Sequence, residues 1–148
     1  MNYFIIMAIG GLAAVLANKG IAVFNDGFRP IVPQYFDGKM SRKELAATSF
    51  AISFGLVVGF GIPTSIAASI ILIHSILLAT DIIGTVFKDD LTGTILAGVV
   101  GALYGLGILV GLQFVVDLFA KLPYNFLGAL GSVSGPVTAA FAAFPAVA

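Results

Sequence analysis

Long apolar runs separated by short polar stretches are the dominant pattern of this chain. An α-helix needs about 20 mainly apolar residues to cross a bilayer. The polar residues 25–41 are predicted to form a loop, which SRKE, a capping-box sequence beginning at Ser41, would end. Asp90 fits an N-cap in the same way. The apolar runs predict five membrane helices, at about 3–24, 42–61, 65–87, 91–116 and 124–148.

Two short stretches combine small, polar and helix-breaking residues. The first, GIPTS at residues 61–65, is predicted to be a turn between the second and third helices, because proline removes a backbone donor and clashes with the preceding turn. The second interrupts the last segment, which is therefore predicted to be a broken helix or a re-entrant hairpin. Its residues either line a ligand site or mark a plain proline kink; they are Ser132, Ser134, Gly135 and Pro136.

The predicted fold is all-α, a polytopic integral membrane protein with a single membrane domain over residues 1–148. The chain stops within the apolar sequence FAAFPAVA, so we expect a truncated chain or one half of a larger membrane protein. An odd number of spans would invert a second half relative to the first. That is the inverted-repeat architecture of many secondary transporters.

Composition supports a membrane location and narrows the chemistry. The chain is 59% hydrophobic and 9% charged, whereas a soluble domain has about 25% charged residues. A net charge of zero excludes a basic field for nucleic acid. Without cysteine, and with a single histidine, we expect no metal site and no cofactor. Common catalytic motifs are absent from the sequence, so we do not expect an enzyme.

The distribution of Lys and Arg predicts the orientation, because cytoplasmic loops carry an excess of these residues. The loop after the first span and the short turn near Lys88 together hold five basic residues, and the opposite side holds only Lys121. This asymmetry places the N-terminus outside and the loop 25–41 in the cytoplasm of a bacterial inner membrane. The five basic residues are Arg29, Lys39, Arg42, Lys43 and Lys88.

The third predicted helix carries ionisable residues on one stripe. If it enters the membrane near Ser65, His74 lies about 13 Å in, close to the middle of a ~30 Å core. Asp81 follows at helical spacing. Because ionisable groups are costly inside a bilayer, His74 and Asp81 are candidates for a proton relay or a polar solute site. The alternative is that His74 bonds a neighbouring helix while Asp81 pairs with Lys88 near the interface.

The first helix and the loop after it contribute four more candidates. Asn18 and Lys19 fall late in the first span, where Lys19 either snorkels to the interface or pairs with Asp26 or Asp81. The loop either lies on the membrane interface with its aromatic residues, or dips inward to gate a site, with Asp26 and Arg29 paired at its mouth.

Glycines recur along the fourth predicted helix and suit close helix packing, because small residues let backbones approach each other. Two pairs have the G-x-x-x-G spacing, and they are Gly101 with Gly105 and Gly107 with Gly111.

Four sequence segments carry a resemblance to a known family. They are AVFNDGFRPIVPQ, ATDIIG, LGALGSVSGPV and AFAAFPAVA. With them the chain resembles the N-terminal part of the YhfT family of bacterial inner-membrane proteins, over essentially its whole length. Members of that family are longer and are regarded as transport proteins without an established substrate. The resemblance implies a membrane protein of transport function and carries over no catalytic residues.

Three functional hypotheses follow. The first is a permease, or half of one, for a small polar or anionic metabolite. The second is a membrane component of a phosphotransferase-type sugar system, which would need phosphocarrier partners. The third is a structural or assembly subunit, in which polar groups only hold helices together. The expected partners are the lipid bilayer, a small-molecule substrate, and either a second copy of the chain or a second membrane half.

Overall fold

The computed structural model describes residues 3–122, 128, 129, 132, 133 and 136, and these residues form helices and no strands. The predicted all-helical architecture is therefore confirmed for the described part of the chain. A π-helical turn, Val57–Gly61, joins α3 to α4 without interruption. The helices are α1 (Tyr3–Asn18), α2 (Val32–Phe36), α3 (Arg42–Leu56), α4 (Ile62–Ala68), α5 (Ile73–Val86) and α6 (Leu91–Ala120).

Two continuous helices are long and apolar enough to cross a membrane, namely Arg42–Ala68 with 27 residues and Leu91–Ala120 with 30 residues. The apolar helices α1 and α5 have 16 and 14 residues, which corresponds to about 24 and 21 Å. Each is shorter than the ~30 Å hydrocarbon core. Two of the described helices therefore have spanning length. The number of five spans stays a prediction.

The helix α1 packs against α5 and α6, and α5 also packs against α3. Contact between α1 and α6 depends on missing side chains, since a Cβ added at Gly101 would meet the carbonyl oxygen of Gly10 and lie 2.6 Å from the Cβ of Ala14. At Gly105 an added Cβ would lie 2.8 Å from the Ile6 carbonyl oxygen. The first G-x-x-x-G pair therefore lies in a helix interface.

The second G-x-x-x-G pair does not have the predicted packing role. Gly107 and Gly111 have nothing within 4 Å of an added Cβ. They line an apolar cavity of about 220 Å³ between α4 and α6. The wall that faces this pair across the cavity consists of side chains of α4, such as Ile62 and Ile66.

The predicted turn at residues 61–65 is wrong, because the helix runs through Pro63 to Ala68. The π turn absorbs the proline: the amide of Ile62 bonds the Val57 carbonyl five residues back, in a wider turn that gives the ring room. The hydroxyls of Thr64 and Ser65, within this helix, donate to the carbonyls of Phe60 and Gly61, four residues back. This is the usual bond of such residues within a helix.

The chain turns at Ser69, a residue with φ of 55° and ψ of 25°. The amides of Ser69 and Ile70 bond the carbonyls of Ile66 and Ser65, a Schellman ending. The hydroxyl of Ser65 accepts from the Leu72 amide at 3.0 Å and so joins the turn to α4. The third helix consequently begins at Ile73 and not at residue 65.

The first helix also ends earlier than predicted, at Asn18 and not at residue 24. The cause is a second Schellman ending, in which Gly20 has φ of 65° and its amide bonds the Ala17 carbonyl, while Ile21 bonds Leu16. The following residues are not helical up to α2. The helix α6 extends past the predicted 116 to Ala120. The predicted last segment, 124–148, lies outside the described residues apart from 128, 129, 132, 133 and 136.

Both predicted helix caps are confirmed. The Ser41 hydroxyl accepts from the Glu44 amide while the Glu44 carboxylate accepts from the Ser41 amide, which completes the capping box. Asp90 accepts from the amide of Gly93 at 2.7 Å at the start of α6. These two caps define the starts of the two long helices, at Arg42 and Leu91.

Candidate functional site

A buried carboxylate holds the non-helical segment that follows α1. Asp81, on α5, is 2% exposed. Its Oδ1 accepts from the Phe24 amide at 2.9 Å, and its Oδ2 accepts from the Phe24 amide at 3.0 Å and the Asn25 amide at 2.7 Å. Backbone amides outside a helix need partners when they are buried. Asp81 therefore supplies across the fold the acceptors that α1 loses by ending at Asn18.

The same segment is joined to α3 through Asn25. Its side-chain amide donates to the Ser53 hydroxyl at 3.1 Å and to the Ile52 carbonyl at 3.3 Å, and its Oδ1 accepts from the Gly27 amide at 2.9 Å. Phe28 is fully buried in the apolar cluster beneath. The predicted loop is thus packed inward through Asn25 and Phe28, while Asp26 and Arg29 beside them are exposed.

Two cavities flank the non-helical residues 20–23. One, of about 260 Å³, lies between α1, this segment and α5, and Asp81 and Arg29 are on its wall. The other, of about 270 Å³, lies between the segment and α2 and is also lined by Arg29. Arg29 pairs with Asp26 at 3.2 Å, with both side chains largely exposed, and its Nε donates to the Val23 carbonyl at 3.4 Å. The structure therefore brings Asp81, Arg29 and Asp26 to one region.

A second polar cluster closes the carboxyl end of α5. The Asn18 amide donates to the carbonyls of Gly84, Phe87 and Lys88, at 2.9, 3.2 and 2.9 Å. Its Oδ1 accepts from the Thr94 hydroxyl at 2.8 Å. The last carbonyls of a helix have no partner within the helix. Asn18, fully buried, therefore caps α5 from a different helix.

Arg42 completes this cluster and was not singled out as a site residue from the sequence. Its guanidinium donates to the carbonyls of Asn18, Gly84 and Phe87, at 3.1, 2.9 and 2.9 Å. It also lies over the Tyr35 ring, 5.2 Å from the centroid. From the sequence, Arg42 indicates only which side of the membrane its loop occupies. Its structural partners cannot be recognised, because they are backbone carbonyls distant along the chain. Asn25 is likewise not recognisable from the sequence, because its partners on α3 are 27 and 28 residues away.

Lys19 pairs neither with Asp26 nor with Asp81 within the described residues. Its Nζ donates to the Asp89 carbonyl at 2.6 Å. Tyr35 donates from its hydroxyl to the Asp89 carboxylate at 2.8 Å. Partial burial, and then this hydrogen bond, raise the pKa of Tyr35 above its usual value. The loop, α2 and the turn before α6 consequently meet at one end of the molecule.

His74 lies apart from Asp81. It is the second residue of α5, two turns before Asp81, and its ring makes edge contacts with Phe24 at 5.3 Å and Phe60 at 5.9 Å. The prediction that His74 lies well inside a spanning helix is wrong, because α5 begins at Ile73 and His74 is exposed at its start. The carboxylate contacts of Asp81 in the described residues are the two amides of Phe24 and Asn25.

The remaining candidates are on the last segment. Ser132 is exposed and donates to the Ala129 carbonyl at 2.7 Å, and Pro136 is exposed. Ser134 and Gly135 lie outside the described residues. Among the residues that the structure describes, no group of three His, Cys, Asp or Glu side chains could hold a metal ion.

Comparison with known proteins identifies the family. The family model described as YhfT, a protein of unknown function, matches residues 2–148. The chain is 37% identical over 148 residues to the "Uncharacterized protein YhfT" of Escherichia coli (strain K12). The alignment covers all of this chain and 33% of that relative, so the chain spans about a third of the length of the curated relative it matches. No solved structure matches the chain. The chain therefore belongs to the YhfT family, and corresponds to the N-terminal part of its longer relative.

Proposed function

We propose that this chain is part of a membrane transport protein for a small polar or anionic metabolite, located in a bacterial inner membrane. The observation that carries the proposal is the Asp81 carboxylate, buried and bonded to the amides of a non-helical segment beside a cavity. Irregular backbone at membrane depth is tolerated where it is buried in protein or lines a cavity. Transporters commonly build their solute sites from such interrupted helices.

The two short helices support the same proposal. Both α1 and α5 end in Schellman turns or extended residues before they reach spanning length. The non-helical residues 19–24 follow α1 and lie beside the cavity, and the non-helical residues 69–72 precede α5 and lie beside α4. In alternating access, one rigid helix group rocks against another around a fixed site. The segment held by Asp81 joins α1 to the loop and α3, so it is placed to couple such a movement to solute binding.

The proposal is tested by uptake in proteoliposomes that contain the full-length protein, with and without an imposed proton gradient. A panel of radiolabelled metabolites covers amino acids, mono- and dicarboxylates, amines and sugars. We expect at least one solute to accumulate above protein-free liposomes, and the Asp81→Asn variant to lose at least tenfold in rate. Asp117→Asn removes an exposed carboxylate on α6 and is the matched control. Absence of uptake across the panel would contradict the transport proposal.

The His74→Ala variant belongs in the same assay, because His74 is the other candidate for a proton relay and its imidazole has two nitrogens that can donate or accept a proton. Uptake that is unchanged in both His74→Ala and Asp81→Asn would remove these two residues from the mechanism. Loss in Asp81→Asn alone would assign the site to the carboxylate and its segment, and would leave His74 as a packing partner of Phe24 and Phe60.

A structural or assembly subunit is the second candidate, and one observation favours it. The buried side chains of Asn18 and Asp81 and the half-buried side chain of Arg42 bond to the backbone of this same chain. Such contacts hold helices together without any solute. This candidate predicts a stable complex with another membrane protein, recovered after mild detergent extraction and cross-linking, together with no uptake in the proteoliposome panel.

A further inference from the structure

The cavity beside Asp81 carries charges of both signs on an otherwise mainly apolar wall. Asp81 on α5 and Arg29 on the loop line the same space of about 260 Å³. Thr80 adds a hydroxyl, and the rest of the wall consists of apolar side chains from α1, from the non-helical segment after it and from α5. These are Ala13, Leu16, Ala22, Val23, Phe24 and Leu77.

The two charges do not neutralise each other directly. The ion pair that Arg29 makes is with Asp26, at 3.2 Å, and the ion pairs of the described residues do not include Asp81. Opposite charges that share a cavity wall but remain separate leave a position between them. A solute with a positive and a negative end can occupy that position and meet each charge with its opposite.

Both groups keep hydrogen-bonding capacity for such a solute. A carboxylate has about four lone-pair sites and a guanidinium has five N–H donors. Asp81 bonds two backbone amides. Arg29 uses Nε for the Val23 carbonyl and Nη1 for Asp26. Among the described residues, an acceptor position on Asp81 and the Nη2 donors of Arg29 have no hydrogen-bond partner, so they can bond a ligand.

We propose that this cavity binds a small zwitterion, an α-amino acid with a compact aliphatic side chain. Its ammonium group bonds Asp81, its carboxylate bonds Arg29, and its side chain lies against Ala13, Leu16 and Leu77. The cavity is below the range of about 300–1,000 Å³ usual for drug-sized ligands, which favours a compact solute. This inference rests on the proposed transport function and names its substrate class.

Charge matching separates the zwitterion from simpler solutes. A dicarboxylate would set a second negative group against Asp81, and juxtaposed like charges cost several kcal/mol. A simple amine would satisfy Asp81 and would offer no acceptor to the Nη2 donors of Arg29. A zwitterion therefore gains from both walls, and removing either of its charged ends should weaken binding.

The test is calorimetric titration of the purified full-length protein in lipid nanodiscs with three matched probes. These are L-valine, isobutylamine, which is valine without its carboxylate, and isovalerate, which is valine without its amino group. We expect saturable valine binding, with each of the other two at least tenfold weaker. Arg29→Gln should weaken valine binding at least tenfold and bring it close to that of isobutylamine.

A cavity-filling variant keeps the test sharp if Asp81→Asn fails to fold. Ala13→Leu places a larger side chain on the cavity wall without touching either charge, and we expect it to abolish valine binding. Ala8→Leu makes the same exchange at an exposed position of α1 and should bind valine like the wild type. Thermal unfolding midpoints of both variants show that each is folded.

Two kinds of result would overturn the inference. Isovalerate binding as tightly as valine, with both lost in Arg29→Gln, would show a plain anion site. Absence of binding by all three probes, or valine binding that survives Ala13→Leu, would remove the amino acid from this cavity. In either case, uptake of a different solute in the proteoliposome panel would leave the transport function standing, so the two failures are distinguishable.

Discussion

Asn18 is the residue on which the junction of α1, α5 and α6 most depends. It bonds the carbonyls of Gly84, Phe87 and Lys88. Arg42 also donates to the carbonyls of Gly84 and Phe87 but not to that of Lys88. Removal of the Asn18 side chain therefore costs the Lys88 carbonyl a hydrogen bond that Arg42 does not replace. A buried polar group left without its partner costs about 1–3 kcal/mol.

We therefore expect Asn18→Leu to lower the free energy of unfolding by about 1–3 kcal/mol. Reversible unfolding of the purified protein in mixed micelles of increasing SDS fraction measures this change. Gln34→Leu, the same kind of exchange at an exposed position of α2, should change the free energy little and serves as the control. Equal effects of the two exchanges would show that the Asn18 bonds do not stabilise the junction.

Tyr35 is the residue whose titration reports on the contact between α2 and the turn before α6. Burial and the hydrogen bond to the Asp89 carboxylate raise its pKa above the usual value of about 10. A raised pKa means that the folded protein favours the neutral phenol. The stability that this contact contributes is fully present below the usual pKa, and it is lost as pH rises through the raised pKa.

The difference in absorbance at alkaline pH between the wild type and Tyr35→Phe isolates the titration of this phenol. We expect its midpoint to lie above the usual tyrosine value, and Asp89→Asn to bring the midpoint down toward that value. A midpoint at or below the usual value in the wild type, unchanged in Asp89→Asn, would mean that Tyr35 and Asp89 are not in contact in solution.

At the scale of helices, alanine substitutions in the two glycine pairs of α6 are expected to change stability in opposite directions. A Cβ at Gly101 would collide with the backbone of Gly10, whereas a Cβ at Gly107 would have nothing within 4 Å. Overpacking costs about 1–3 kcal/mol, and alanine is favoured over glycine in a helix by about 1 kcal/mol. Gly101→Ala should therefore destabilise the protein, and Gly107→Ala should be neutral or slightly stabilising. SDS unfolding midpoints in opposite order would contradict the α1–α6 interface.

Helix starts were predictable from the sequence where the signal is local. The capping box at Ser41 and the N-cap at Asp90 involve residues three positions apart, so the pattern alone identifies them. Two helix ends were not predicted. Glycine commonly ends a helix, but Gly20 lies in a long apolar run that predicted a continuous helix to residue 24. Pro63 does not end its helix, because the wider π turn before it accommodates the proline ring.

The site was predictable in part, for a related reason. Asp81 is conspicuous because a carboxylate within an apolar run must be stabilised by something. Its partners, the amides of Phe24 and Asn25, are backbone groups more than 50 residues away, and no side-chain pattern marks them. The same applies to Arg42 and the carbonyls at the end of α5. The sequence indicates the costly group, and the fold supplies its partners.

At the scale of the whole molecule, charge is gathered at one end. Lys19, Tyr35 and Arg42 converge on the turn at residues 87–89. Lys121 lies at the other end of α6, a helix of 30 residues and about 45 Å. Basic residues favour the cytoplasmic side of a membrane. We therefore predict that the loop 25–41 and the turn before α6 are cytoplasmic and that Lys121 is outside.

These 148 residues contain no cysteine, so single-cysteine variants test this prediction once any cysteine elsewhere in the full-length protein is replaced by serine. Lys43→Cys and Lys121→Cys are each introduced into the full-length protein and labelled with a membrane-impermeant maleimide. We expect intact spheroplasts to label Lys121→Cys alone and inside-out vesicles to label Lys43→Cys alone, because Lys43 lies at the start of one helix of spanning length and Lys121 just after the end of the other. Labelling of Lys43→Cys from outside would reverse the orientation, and labelling of both variants from one side would exclude α6 as a spanning helix.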